Sequence, residues 1–80
     1  METDAETSAE TAARLTVAVN GEMREVPAPM TVAGLLAWLG LEPVRIAVER
    51  NLEIVPKSLY AQTELADGDR IEIVQFVGGG

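Results

Sequence analysis

Ile71-Glu72-Ile73-Val74-Gln75-Phe76-Val77, followed at once by Gly78-Gly79-Gly80, is the stretch on which the reading of this chain turns. Its β-branched and aromatic residues predict a strand. Its phase shifts along the way: Ile71 and Ile73 suit a core face, whereas Val74 and Phe76 point to the other side. Apolar residues on an open face beside a chain end suggest a docking surface made by Val74, Phe76 and Val77, the alternative being a core that wraps around the sheet edge. Glycine has no Cβ, so Gly78, Gly79 and Gly80 can pass through a gap that excludes side chains. Three residues at about 3.3–3.6 Å each extend roughly 10 Å beyond a fold. A free α-carboxyl is an anion at neutral pH. The tail is therefore either a frayed terminus or a thin stalk presenting one nucleophilic group, and the rest of the chain has to decide which.

Working outward, Leu15-Thr16-Val17-Ala18-Val19 alternates large and small residues, which predicts a strand with Leu15, Val17 and Val19 inward. Asn20-Gly21 is a strong hairpin signal, because a type I′ turn needs positive φ at both central residues. The return strand spans Glu22 to Val26, with Met23 and Val26 out of phase, and Pro27 and Pro29 end it. Thr31 is an N-cap for a helix from Val32, whose Val32, Leu35, Leu36 and Leu39 form one apolar stripe, and Gly40 stops it. Gly34 inside this helix predicts a close helix–sheet contact. Trp38 lies off the stripe, where it either caps the core edge or meets a partner. A third strand is expected over Val44–Arg50, with Arg45, Glu49 and Arg50 on a solvated face, and Asn51 turns the chain. Leu52–Val55 pairs briefly before Pro56, Leu59 and Tyr60 tuck under the sheet edge, and Asp67-Gly68-Asp69 makes a second tight turn.

The order is ββαββ. A mixed sheet of four or five strands packed on one helix satisfies it, with the last strand central and parallel to the first through the helical crossover. This α+β arrangement is the β-grasp, or ubiquitin-like, fold. It occupies residues 15–77, after a leader over 1–14 and before the flexible tail 78–80. The leader has four acids, one base and no Val, Ile, Leu or aromatic residue, a composition that predicts disorder.

Eighty residues hold one small domain. No cysteine and no histidine are present, which removes disulfides, thiol nucleophiles, the commonest general base and the usual zinc ligands. Asp67 and Asp69 read as turn residues rather than a catalytic pair. Thirteen acids against six bases give a net charge of −7, so nucleic acid is not an expected partner; the acid excess either favours a protein partner with a basic face or simply keeps a small protein soluble. No transmembrane span or signal peptide is expected, and the default location is cytoplasmic.

Asn20-Gly21, Thr31-Val32 with Leu35-Leu36, Val48-Glu49-Arg50-Asn51, Ile54-Val55-Pro56, Asp67-Gly68-Asp69 and Phe76-Val77-Gly78-Gly79-Gly80 together resemble the thiamine-biosynthesis sulfur carrier (ThiS) family. The resemblance covers about residues 15–80, and the leader departs from the pattern. It implies a carrier without catalytic activity or bound cofactor of its own. A ubiquitin-activating-enzyme-like adenylyltransferase would use ATP and Mg²⁺ to adenylate the Gly80 carboxylate. A persulfide protein would then supply sulfur for a Gly80 thiocarboxylate, and thiazole synthase would receive it. The same features leave three alternatives: the small subunit of molybdopterin synthase, a ubiquitin-like protein modifier, and a passive interaction domain with an inert tail.

Overall fold

A computed structural model of the protein describes residues 13–76. The expectations for the leader over 1–12, for Val77 and for the three terminal glycines lie outside the described residues. Strands β1 (Arg14–Val19), β2 (Glu22–Pro27), β3 (Ile46–Arg50), β4 (Glu53–Val55) and β5 (Arg70–Gln75) form one sheet in the order β2-β1-β5-β3-β4, and among the described residues one α-helix, α1 (Val32–Trp38), accompanies it. β5 is central and runs parallel to β1 through Ala18↔Arg70 and Val19↔Ile71, while it runs antiparallel to β3. This is the β-grasp arrangement expected from the order of elements.

The first hairpin turns at Asn20 and Gly21, with φ of 51° and 86°, the conformation that favours Asn and Gly there. β1 starts at Arg14, one residue earlier than expected, and β2 runs on through Pro27 as an edge strand. Register resolves the phase of β2. Val26 lies opposite Leu15 on the core side and is buried, whereas Met23 lies opposite Ala18 on the other face and is exposed.

Thr31 caps α1 by accepting the Gly34 N–H at 3.0 Å. The Val32 and Ala33 N–H groups donate to the carbonyls of Thr63 and Tyr60, so the N–H groups of the first three helical residues each have an acceptor. At the other end Gly40 takes φ 77°. Its N–H donates to Ala37 O and that of Leu41 to Leu36 O, a Schellman closure. Gly34 does not serve helix–sheet contact. A Cβ there would meet Met30 Sδ at 3.0 Å and the Thr31 hydroxyl at 3.3 Å, so the glycine makes room for the cap itself.

Val32, Leu35 and Leu36 pack in one core with Val17, Val19, Val26, Ile46, Val48, Val55, Ile71 and Ile73. Tyr60 and Leu65 close it from the long connection before β5. Only half of the expected Leu59–Tyr60 pair is inside. Tyr60 is buried and its hydroxyl donates to Ile46 O at 3.3 Å, but Leu59 faces solvent because the 3-10 turn Lys57–Leu59 presents the two residues in different directions. Trp38 is half-exposed and lines a groove with Arg14, Glu25, Val26 and Pro27 at the edge of the core.

Candidate functional site

The root of the tail is fixed by a single backbone bond. β5 pairs with β3 up to Gln75↔Ile46, and the Phe76 N–H then donates to Arg45 O at 2.8 Å. Arg45 is not in a strand as expected. Pro43–Arg45 forms a 3-10 turn with proline at its start, and β3 begins only at Ile46. Phe76 is therefore held to the sheet by its backbone while its side chain stays 56% exposed. Val74, in the same phase, is 54% exposed, while Ile71 and Ile73 are buried, so the shift read from sequence is a real division between two faces. An open groove of about 520 Å³ runs beside the root, lined by Leu41, Glu42, Val44, Arg45, Gln75 and Phe76.

The face opposite α1 continues from Val74 across the sheet. Val74 lies opposite Ala47, and Glu72 lies opposite Glu49, which in turn faces Ile54 on β4. Ile54 is 69% exposed, and Met23 adds an exposed apolar side chain at the far edge. Arg50 departs from the solvated face assigned to it. It lies opposite Ile71, on the core-side register, and its Nε donates to Asp69.

A family model described as the ThiS family matches residues 5–80, nearly the whole chain and all three terminal glycines. The chain belongs to the ThiS family. It is 54% identical over 50 residues to a sulfur carrier protein ThiS of Bacillus subtilis, which covers 62% of this chain and 76% of that protein. The crystal structure of a thiamine biosynthesis protein ThiS from Geobacter metallireducens superposes with a TM-score of 0.70 at 30% identity, covering 82% of this chain and 100% of that one. A thiazole synthase of Paramagnetospirillum magneticum is 60% identical over 62 residues, which make up 78% of this chain. The chain spans 19% of that synthase's length.

In this ThiS-family fold the two expected turn aspartates do structural work. Asp67 Oδ1 accepts the Thr16 N–H at 2.7 Å. Asp69 is buried and accepts from Arg50 Nε at 2.8 Å, Asn51 Nδ2 at 3.0 Å and the Ala66 N–H at 2.8 Å. Burial opposes the charge on Asp69, but those three donors together outweigh it and hold its pKa below the usual aspartate value. Asn51, at φ 52°, also accepts the Arg70 N–H, so one node ties the β3–β4 turn to the start of β5. Sequence reading missed this node, because Arg50 and Asp69 are far apart along the chain and each has a local explanation. Among the described residues no three His, Cys, Asp or Glu side chains gather as a metal site, and no helix is long and apolar enough to cross a membrane. The site residues expected at Val77, Gly78, Gly79 and Gly80 lie outside the described residues.

Proposed function

We propose that this chain is a sulfur carrier of thiamine biosynthesis whose working group is the Gly80 carboxylate. The observation that carries the reading is the family match, which runs through the glycines to Gly80. A carboxylate is a poor electrophile, so a partner adenylyltransferase first joins it to AMP from ATP and Mg²⁺, releasing pyrophosphate. A persulfide sulfur of the donor protein then displaces AMP to form an acyl disulfide. A thiol that attacks the donor's own sulfur breaks the S–S bond, releasing the thiocarboxylate and leaving a disulfide on the donor side. Thiazole synthase is the acceptor, a choice supported by the similarity of the chain to part of a protein of that name.

The geometry suits this division of labour. Chemistry is left to the partners, and the carrier supplies a rigid root and a narrow stalk. The central strand β5 and the Phe76–Arg45 bond fix where the stalk begins. Val74 and Phe76 offer the partner an apolar hold beside it. Intact-mass measurement after incubation with an adenylyltransferase, ATP and a sulfur source tests the reading. A gain equal to the mass difference between sulfur and oxygen, confined to the C-terminal peptide, is the expected result. An unchanged mass under conditions that release pyrophosphate would contradict the sulfur-transfer step.

A further inference from the structure

Asn20 and Gly21 stand side by side at the tip of the first hairpin, both exposed to solvent. In an asparagine–glycine pair the backbone nitrogen of the glycine readily attacks the preceding side-chain amide, because glycine puts no Cβ beside the attacking atom. The turn itself adds no hindrance: a Cβ on Gly21 would meet nothing within 4 Å. The reaction needs Gly21 N and Asn20 Cγ aligned at near-attack distance. The fold keeps them from it. Asn20 Oδ1 accepts the Ile73 N–H at 2.7 Å and Nδ2 donates to Ile73 O at 3.1 Å, so both ends of the planar amide are tied to β5. An amide fixed at two atoms cannot rotate its Cγ toward the Gly21 nitrogen. The other asparagine, Asn51, is followed by Leu52, whose branched side chain crowds the attacking atom.

We infer that Asn20 is a gated modification site: its amide is inert while it braces β5 and deamidates when β5 lets go of it. In the open state Gly21 N gives up its proton and bonds to Asn20 Cγ. The Cγ–Nδ2 bond breaks, ammonia leaves and a five-membered succinimide remains. Water then opens either imide carbonyl, giving an aspartyl or an isoaspartyl residue at position 20. The change falls where β1 runs out. β1 pairs with β5 at Ala18↔Arg70 and Val19↔Ile71, the Asn20 N–H reaches Ile71 O, and the Asn20 amide then supplies the bonds to Ile73 from this side. Either product replaces the donor to Ile73 O with a carboxylate, which repels that carbonyl. The isoaspartyl form also lengthens the turn by one backbone carbon. From Ile73 onward the strand that carries the tail is then held by its pairing with β3. That consequence for activation rests on the carrier reading, whereas the modification itself does not.

The full chain, held at mildly alkaline pH either folded or in enough urea to unfold it, tests this by mass spectrometry after cleavage at Arg14 and Arg24. Asn20 is the only side-chain amide in residues 15–24, so the mass gain of exchanging NH2 for OH in that peptide reads this site alone. No adenylyltransferase enters the measurement, so it can fail separately from the carrier mechanism. The expected rate is lower in the folded chain by about tenfold or more, the opening equilibrium of β5 setting the factor. Asp69→Asn loosens the start of β5 without touching the turn, and it is expected to raise the folded-state rate by about tenfold. Sub-denaturing urea on the wild-type chain applies the same perturbation where that variant does not fold, with a rise expected again. Equal rates in the folded and unfolded chains would overturn the inference, as would a folded-state rate that loosening β5 in either way leaves unchanged.

Discussion

Asn20 makes the last backbone bond of the parallel β1–β5 ladder, its N–H donating to Ile71 O at 2.8 Å, and continues that ladder with its side chain. Its Oδ1 accepts the Ile73 N–H at 2.7 Å, and its Nδ2 donates to Ile73 O at 3.1 Å. The residue serves two ends at once. Its φ of 51° makes the hairpin turn, and its amide holds the middle of β5, the strand that carries the tail. Glycine would tolerate the turn but would leave Ile73 without either bond. Asn20→Gly is therefore expected to cost about 1–3 kcal/mol. Each kcal/mol corresponds to a fall of roughly 4–8 °C in Tm for a domain of this size. Asn20→Asp keeps the acceptor and should lose about half as much. Thermal melts of the two variants check the order.

Asp69 should set an acid limb of stability. Its folded pKa lies below that of the unfolded chain, near the ordinary value of about 3.9. The stabilisation is thus fully present above that ordinary value and is lost as pH falls through the lower folded one. Asp69→Asn should destabilise at neutral pH by about 2–3 kcal/mol, since hydrogen bonds to a charged group contribute roughly 1.5–3 kcal/mol. Arg50 is one-third exposed and recovers some hydration, which keeps the loss at that level. Stability measured from pH 7 down to pH 2 should show the variant losing less than the wild type on acidification. Parallel acid limbs would remove Asp69 as their source.

Leu52 sits at φ 73° in the β3–β4 turn with its side chain 79% exposed. The left-handed conformation costs a non-glycine residue about 1–2 kcal/mol. Glycine would remove that cost but add about 0.5–1 kcal/mol of lost chain entropy. The balance favours Leu52→Gly by roughly 0.5–1 kcal/mol, visible as a Tm higher by a few degrees. A lower Tm would mean that the exposed leucine makes contacts worth more than its strain.

Much of this was legible beforehand for local reasons. The alternation at Leu15, Val17 and Val19, the stripe of Val32, Leu35 and Leu36, and the Asn20-Gly21 turn each carry their signal within a few residues. What escaped depends on partners distant in sequence. Met23 and Val26 could not be phased until β1 supplied Ala18 and Leu15 opposite them. Val44 and Arg45 have strand-like neighbours, yet Pro43 starts a 3-10 turn whose last carbonyl is needed by Phe76. Glu49 read as one solvated charge among others, and only the β3–β5 register sets it against Glu72.

Phe76→Ala should leave the fold nearly intact. A fully buried phenylalanine costs about 3–5 kcal/mol on truncation, but this one is 56% exposed and is held by its backbone N–H, which alanine keeps. Docking should suffer more, because an aromatic anchor beside the tail can lose about 2 kcal/mol or more of binding. Melts and carrier titrations of the adenylyltransferase on the same variant separate the two effects. A collapse in Tm with unchanged affinity in the folded fraction would return Phe76 to the core.

Deletion of Gly80 should abolish activation and spare stability. The new carboxylate belongs to Gly79 and ends about 3.5 Å short of its former reach. The Phe76–Arg45 bond fixes the root of the stalk, so the docked carrier cannot slide forward to recover that distance without breaking a rung of the ladder. Misplacement of a reacting group by about 1 Å can cost on the order of a hundredfold in rate. Glycine brings no side chain to bury, so Tm should not move. Gly79→Ala should be milder, since it keeps the length and adds only a Cβ to a stalk that has to enter a narrow site. ATP–pyrophosphate exchange beside a thermal melt reads both variants. Exchange at the wild-type rate after deletion would mean that the position of the terminal carboxylate does not matter, and the carrier mechanism depends on its mattering.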